Sequence, residues 1–179
     1  QFAGGQMFPF PHNIGYKENR NKNKYLRTYS SDFICGACMV ISRSVIEEIG
    51  FFDNFFWPLY CEDVDYCIRA RKKGFKVIYH GEIEVLHHEH GSVKKIPLSE
   101  RRLFYGKNLV YLWFKIGAYS LGLTWLLIFT ILIPLLSLKE KGVYYALYNL
   151  KRFYHTLLLT VLTRNNHTVL KLKKISEFF

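Results

Sequence analysis

Three carboxylates occur within four residues near the middle of the chain, directly after an aromatic segment. Glu62, Asp63 and Asp65 follow residues 51–60, where Pro58 interrupts a run of aromatic and aliphatic side chains. Carboxylates at a helix start are favoured by the helix dipole and by capping, so one interpretation is structural. The other is catalytic: one carboxylate takes a proton from a substrate hydroxyl while a sugar ring stacks on the aromatic wall.

A second cluster with chemical potential is HHEHGS at 87–92, which places three histidines within four residues. A lone histidine is usually structural, but imidazole is also a good ligand for Mn²⁺ and Zn²⁺. Strand alternation would direct His87 and Glu89 to one side and His88 to the other. The cluster is therefore a candidate metal site.

The cysteines support a competing hypothesis. Cys35 and Cys38 form a C-x-x-C pair that could join Cys61, Cys67 and the histidines in a zinc site. Zinc pairs of this kind normally lie in tight turns, whereas this pair is predicted to lie in an apolar strand with its side chains on opposite faces. We expect buried, reduced thiols and a reducing compartment.

The elements that must position these groups follow from the apolar pattern. Residues 1–31 are rich in Gly, Asn, Lys and Tyr and predict a loop or flap with little regular structure. Residues 33–41 are continuously apolar, which predicts a strand buried on both faces. Ser44 and Glu47 form a capping box that predicts a short helix at 45–49.

The carboxylate cluster is predicted to open a second helix. Apolar residues at helical spacing place this helix at 64–73, with Asp63 as its N-cap. Alternating apolar residues then predict strands at 75–79 and 83–87, joined by a turn at Gly81. Together these elements indicate an α/β domain.

The composition changes near residue 95. Residues 101–179 contain 12 Lys and Arg but 2 Asp and Glu, against 13 and 12 in residues 1–100. The basic tail holds an amphipathic helix at 97–115, an uncharged apolar run at 116–138 and a second apolar stretch at 143–163. Nucleic-acid-binding arms interleave basic with polar residues, so this pattern favours a membrane and no nucleic-acid partner.

The apolar run allows more than one placement. As a helix it is long enough to cross a bilayer. Basic residues flank it on both sides, so a single span and an interfacial or re-entrant hairpin both stay open. A buried helix of a soluble domain is the third alternative.

In order and spacing, residues 35–53, 55–77 and 85–92 resemble glycosyltransferase family 2, and most closely its rhamnosyltransferase-like members that add a single sugar. Residues 101–115 are similar to the membrane-proximal region that follows such domains. The resemblance implies an α/β GT-A (Rossmann-like) domain, with its acceptor-side half at 1–95 and an α-helical membrane-associated tail at 96–179. The nucleotide-binding half, with its Asp-x-Asp motif, would precede residue 1.

The resemblance also implies roles for individual residues. Asp63 corresponds to the general base and Glu62 stands beside it, while His87, with His88 as the alternative, corresponds to a metal ligand. The positions expected to contact substrate are Gly36, Ala37, Asp53, Trp57, Tyr60 and Arg69.

Residues 63–65 also spell Asp-x-Asp, the motif that holds the metal in this family. That motif normally ends a buried strand, whereas Asp63 is predicted to open a helix, so we assign Asp63 to the base instead. The Gln-x-x-Arg-Trp motif of processive synthases has no counterpart after Asp65. The resemblance therefore implies transfer of a single sugar.

The expected reaction is inverting transfer from a nucleotide-diphosphate sugar to a lipid-linked or cell-surface glycan acceptor, with Mn²⁺ or Mg²⁺ as the metal. The expected location is the cytoplasmic face of the plasma membrane, membrane-associated or single-pass. This chain by itself is expected to be inactive. The alternative is a non-catalytic, membrane-anchored protein that binds glycans or acts as a scaffold.

Overall fold

A computed structural model describes residues 2–8, 10–16, 18, 23–87 and 93–163. The chain forms two compact units, Gln1–Gly91 and Ser92–Phe179. The first unit mixes short helices and strands, and the second is built from three long helices.

The first unit contains two small antiparallel sheets and two helices. Strand β1 (Gly5–Gln6) pairs with β2 (His12–Asn13), and β3 (Tyr29–Ser30) pairs with β4 (Ile78–Tyr79). The helices are α1 (Arg43–Ile49) and α2 (Glu62–Lys72), and short 3-10 turns occur at Asn23–Tyr25 and Asn54–Phe56.

The N-terminal segment is more ordered than the predicted flap, because Ser31 and Asp32 bind it to the rest of the unit. The Ser31 hydroxyl accepts a hydrogen bond from the Gly5 N–H at 2.8 Å. The Asp32 carboxylate accepts from the Met7 N–H at 3.0 Å and from the Arg71 guanidinium, on α2, at 2.6 Å. The segment is thereby linked to α2.

The predicted strand at 33–41 is wrong. Phe33 makes an isolated bridge to Gly5, Cys38 donates its N–H to the Cys35 carbonyl at 3.3 Å in a turn, and Val40 is 96% exposed. A strand needs a neighbouring strand to satisfy its backbone N–H and C=O groups. Among the described residues, no strand lies beside 34–41.

The predicted hairpin of strands 75–79 and 83–87 is also corrected. Residues 78–79 form β4, but 83–87 are irregular, and Ile83 and Leu86 are 64% and 81% exposed. The partner of β4 is β3, from much earlier in the chain. Alternation alone does not identify the partner of a strand.

Both helices of the first unit begin earlier than predicted. Helix α1 is preceded by Ser42, and Glu47 binds Arg43 at 2.8 Å instead of closing a capping box with Ser44. Helix α2 is preceded by Cys61, so Asp63 is in its first turn and is not its N-cap. Several residues near each helix start could act as its cap. The path of the chain that enters the helix decides which of them does.

The second unit contains three helices, as expected for a helical tail, and the first agrees with the helix predicted at 97–115. They are α3 (Leu98–Lys115), α4 (Tyr119–Lys141) and α5 (Val143–Thr163). Gly117 and Gly142 take positive φ angles of 87° and 85° at the two tight connections, a conformation that glycine adopts without strain.

Aromatic contacts show that the three helices run antiparallel in sequence order. Phe129 of α4 faces Gly106 of α3 and lies at a tilt to Phe153 of α5, with 6.3 Å between the two ring centroids. Phe114 of α3 faces Gly122 of α4. These contacts bury the inner faces of all three helices.

We predict that Gly81→Ala destabilises the first unit, because Gly81 is buried and an added Cβ would overlap the Tyr25 carbonyl oxygen and the Leu26 backbone. Forced overpacking typically costs about 1–3 kcal/mol. Urea unfolding of the full chain checks this. Gly36→Ala is the control, since its added Cβ would lie 3.7 Å from the Asp63 Cβ, an ordinary contact. Equal unfolding free energies for the two variants would contradict the prediction.

Candidate active site

The carboxylate of Asp63 is held against segment 34–41 by backbone N–H groups. Its Oδ2 accepts a hydrogen bond from the Gly36 N–H at 2.9 Å, and its Oδ1 accepts one from the Val64 N–H at 2.8 Å. A carboxylate offers about four acceptor positions, so both oxygens retain capacity for a further donor. The group is therefore fixed in place and still able to accept a proton.

Burial raises the pKa of the Asp63 carboxyl above its ordinary value, and the N–H groups of Gly36 and Val64 oppose this rise. Burial removes the water that stabilises the charged form, whereas the N–H groups stabilise it. Because burial has the larger effect, Asp63 is a stronger base than an exposed aspartate.

Glu62 is a second carboxylate with an altered pKa. Burial raises the pKa of Glu62, its own backbone N–H lowers it, and the charge of Asp63 raises it further. Its Oε2 is buried and has no hydrogen-bond partner among the described residues. Two adjacent carboxyl groups with raised pKa values are common at catalytic sites, although structural networks can also produce them.

The backbone that leads into these carboxylates is strained. Tyr60 and Cys61 have φ angles of 77° and 69°, in the left-handed region. Each such residue other than glycine typically costs about 1–3 kcal/mol, and strain of this kind concentrates at functional sites. The two strained residues direct the chain from the aromatic loop into α2, so that Glu62 and Asp63 both lie in its first turn.

Helix α2 also holds the end of α1 through Arg69. The Arg69 Nε donates to Asp65 Oδ2 at 2.9 Å. Its Nη1 and Nη2 donate to the carbonyls of Ile49 and Phe51 at 2.7 and 2.8 Å. The Tyr66 hydroxyl donates to the Gly50 carbonyl, between them, at 3.0 Å. Two side chains of α2 thereby satisfy carbonyls at and just beyond the end of α1.

These contacts bear on two expectations from the sequence. Asp65 is fully buried and paired with Arg69, so the Asp-x-Asp at 63–65 does not present two carboxylates to one ion. Arg69, expected at the substrate, directs its guanidinium to Asp65 and to backbone carbonyls. In this structure Arg69 is a positioning residue.

A cavity of about 750 Å³ lies in the first unit, within the size range of small-molecule sites. Tyr66, Cys67 and Ala70 of α2 line it, on the helix face that carries Asp63 one turn earlier. Ala37 also lines it, whereas Asp63 itself does not. Asp63 and part of the cavity lining therefore lie along one face of α2.

The aromatic loop lies apart from this cavity. Asp53 caps its 3-10 turn by accepting the Phe55 N–H at 2.9 Å, Phe56 is buried, and Trp57 is 76% exposed. Neither Trp57 nor Tyr60 lines the cavity. The Trp57 ring is thus available as an exposed surface beside the start of α2.

The expected metal ligands are not assembled by the described residues. His87 is exposed at the mouth of the cavity, and His88 lies outside the described residues. In the described part of the chain, no group of three or more His, Cys, Asp or Glu side chains could hold an ion. The donor groups of the described residues therefore do not by themselves fit a metal.

The argument against a zinc site assumed that Cys35 and Cys38 lie in a strand, whereas they lie in a turn. None of the four cysteines forms a disulfide in the described part of the chain, and Cys61 and Cys67 are buried. Burial raises the pKa of Cys67 to about 11, and its Sγ accepts the Ile34 N–H at 3.4 Å. A thiol with this pKa stays protonated at neutral pH and is a poor metal ligand.

Sequence reasoning missed two features of the site. The Asp65–Arg69 pair has the i, i+4 spacing of a helical ion pair, which could have revealed it. The Gly36 N–H that binds Asp63 left no signal in the sequence, because this contact joins segments 27 residues apart.

The model of the family described as "Glycosyltransferase like family 2" matches residues 4–104, more than half of the chain. The chain therefore belongs to this family, whose domains have a GT-A-like α/β fold. Family members use nucleotide-sugar donors and typically a divalent metal.

Two curated proteins illustrate the similarity. The N-acetylglucosaminyl-diphospho-decaprenol L-rhamnosyltransferase of Mycobacterium tuberculosis is 31% identical over 80 residues, which is 45% of this chain and 26% of that protein. The low-salt glycan biosynthesis hexosyltransferase Agl10 of Haloferax volcanii is 31% identical over 84 residues, 47% of this chain and 24% of that protein. The aligned part is thus about a quarter of each relative. No solved structure matches the chain.

We predict that Arg69→Ala lowers the unfolding free energy by about 3–5 kcal/mol, because it removes the guanidinium that neutralises the buried Asp65 carboxylate. Urea unfolding of the full chain measures this. Arg43→Ala is the matched control: Arg43 also pairs with a carboxylate four residues on, but it is 91% exposed. This control should change the unfolding free energy very little. Similar losses in both variants would contradict the positioning role of Arg69.

Proposed function

We propose that the complete protein is an inverting glycosyltransferase that transfers one sugar from a nucleotide-diphosphate sugar to a hydroxyl of a lipid-linked or cell-surface glycan. Residues 1–95 would form the acceptor-side half of its GT-A domain. The observation that carries the proposal is the Asp63 carboxylate, fixed by two backbone N–H groups and with a pKa raised by burial. Membership of the family supplies the reaction class.

In this reaction the acceptor O–H gives its proton to an oxygen of Asp63. The acceptor oxygen then forms a bond to the anomeric carbon, and the bond from that carbon to the nucleotide diphosphate breaks. Attack from the face opposite the leaving group inverts the anomeric configuration. The fixed carboxylate supports this role because a base must be within hydrogen-bond reach of the proton it removes.

Neighbouring residues would support the acceptor side of the site. Gly36 and Asp63 are joined by a hydrogen bond, so the segment that begins at Gly36 would border the acceptor. Ala37 and His87, in the cavity lining, are the candidates for contact with bound sugar, and Trp57 for stacking. A metal held by His87 or His88 stays an expectation from the family.

The names of the relatives suggest the kind of acceptor. The mycobacterial relative is named for transfer of L-rhamnose to a diphospho-decaprenol-linked sugar. An enzyme that acts on such an acceptor works at a membrane. In the described residues, Tyr119–Leu136 is the one helix segment long and apolar enough to cross a bilayer. We therefore propose a membrane location, at the cytoplasmic face where nucleotide sugars are made.

A binding or scaffold role without catalysis is the second candidate. It is favoured by the exposed aromatic residues before α2, since Phe51 and Trp57 are 81% and 76% exposed and could stack on a glycan without any transfer. The two candidates differ in whether Asp63 is needed for turnover.

We predict that Asp63→Asn in the full-length protein lowers kcat by about 10²–10⁴-fold, the usual contribution of a general base. Binding of the nucleotide sugar should change little. Transfer assays and calorimetric titration measure the two quantities. Glu47→Gln, an exposed carboxylate on α1 that pairs with Arg43, is the control and should retain full turnover. Unchanged turnover in Asp63→Asn would reject the assigned role.

The pH dependence of kcat/KM gives a separate prediction. The base must be ionised, so activity should fall as the pH drops through the raised pKa of Asp63, above the ~3.9 of an ordinary aspartate. A raised pKa also means that the folded state binds this proton more tightly than the unfolded chain does. Asp63 therefore favours folding below its unfolded pKa and loses that contribution as the pH rises through its folded pKa.

Acid inactivation through Asp63 should consequently occur without unfolding. A pH–rate profile, with circular dichroism in the same buffers, checks both points. An acid limb at or below the pKa of an ordinary aspartate, or one that coincides with loss of structure, would be inconsistent with a buried base.

A further inference from the structure

Helix α4 presents an apolar face that no described residue of its own unit covers. Only 17% of Tyr119–Leu136 is buried, and Leu127 and Ile131 are 66% and 63% exposed. The side of α4 that packs on α3 and α5 is also apolar, as the buried Phe129 and Ile133 show. The outer face is therefore a surface for an apolar partner.

Helix α5 extends this surface along one edge only. Tyr154 donates to or accepts from the Thr130 hydroxyl of α4 at 2.5 Å, which fixes the edge of α5 that adjoins α4. By helical periodicity, exposed Val143, Leu147 and Leu158 lie on or next to that edge. They continue the outer face of α4 into one apolar surface.

The exposed side of α5 between this edge and the edge that adjoins α3 is aromatic and basic. Arg152 pairs with Glu100 of α3 at 3.6 Å, which fixes the edge of α5 that adjoins α3. Between the two edges are exposed residues that suit a membrane interface: Tyr144, Tyr148, Lys151 and His155. These four residues form a rim along the length of α5. In a membrane-spanning helix, the residues that suit the interface lie at the two ends instead.

The alignment of α3 with α4 also argues against a crossing. Gly106 faces Phe129 near the middle of α4, so Lys107 and Asn108 are level with the centre of its apolar run. If α4 crossed a bilayer, these polar residues and Lys151 would all lie near the midplane. Ionisable residues at that depth are costly.

The charge of the tail identifies the partner. Residues 101–179 contain 12 Lys and Arg against 2 Asp and Glu. A basic protein surface beside an exposed apolar face complements a bilayer that carries anionic headgroups.

We propose that α4 lies in the plane of an anionic membrane surface, with its outer face and the adjoining edge of α5 in the acyl boundary, and that it does not cross the bilayer. This rests on the membrane location proposed above and specifies its geometry. The rim of α5 would lie at headgroup level, and α3 on the side away from the lipid.

Depth measurements along one face of α4 test this geometry. Residues 120, 127, 131 and 138 lie within a narrow arc of one helix face and extend over five turns, ~27 Å at 1.5 Å per residue. Single Ser120→Cys, Leu127→Cys, Ile131→Cys and Leu138→Cys variants of the full chain carry a nitroxide label, in a Cys35→Ser, Cys38→Ser background. Cys61 and Cys67 are buried and label poorly.

The labelled chain is bound to phosphatidylcholine vesicles with and without phosphatidylglycerol, and label depth is read from the relative accessibility to oxygen and to a nickel chelate. The proposal expects stronger binding to the anionic vesicles and similar, shallow depths at all four positions. A spanning helix would place the two central labels deeper than the two end labels by about 10 Å, which would overturn the proposal.

Other results separate the remaining alternatives. Labels shielded from both reagents would mean that protein covers the face, for example a second copy of the chain, and this would also overturn the proposal. Equal affinity for neutral and anionic vesicles would overturn the claim that the basic tail binds anionic headgroups. No binding to either vesicle would contradict the membrane location itself, whereas bound protein with unequal depths would contradict only the in-plane geometry.

A matched pair of variants tests which surface touches lipid. Ile131→Lys and Tyr144→Lys add the same charge at exposed positions, one on the outer face of α4 and one on the rim of α5. Ile131→Lys should weaken binding to anionic vesicles at least about tenfold, and Tyr144→Lys should not weaken it. Circular dichroism confirms that both retain their helices. Equal weakening would show that the apolar face is not the membrane contact.

Discussion

The first unit depends on one buried ion pair. Asp65 is fully buried, and its partner Arg69 uses its remaining donors to bind carbonyls at and beyond the end of α1. This pair fixes the distance between the two helices and therefore the ends of the aromatic loop at 51–60. Because the loop is held at both ends, the chain can carry the strained backbone of Tyr60 and Cys61 into α2. The position of Asp63 follows from that constraint.

The same helix start balances two opposing electrostatic effects. Backbone N–H groups of Gly36 and Val64 stabilise the charged form of Asp63, and burial disfavours it. A site with more donors would hold a weaker base, and a site with fewer would hold a neutral acid. Family 2 membership gives this balance a chemical meaning, since sugar transfer to a hydroxyl needs a base that is both fixed and proton-accepting.

The second unit is stabilised by different interactions from the first. Its three helices are specified by local hydrogen bonds and by apolar inner faces, and glycines at 117 and 142 permit the tight connections. Its outer surface is apolar where a soluble bundle would be polar. The long helices are therefore suited to lipid contact, whereas the two carboxyl groups with raised pKa values lie in the first unit.

The sequence by itself determined the family, the carboxylate cluster and the helical character of the tail, because motifs are linear and helical hydrogen bonds join residues four apart. It could not determine the fate of 33–41, since a strand is stable only beside another strand, and the described chain supplies none there. Only the tertiary structure decided that Cys61 precedes α2, that Arg69 holds the end of α1, and that the Gly36 N–H meets Asp63. Each of these depends on residues distant in the chain, whose approach is set by packing and not by local pattern.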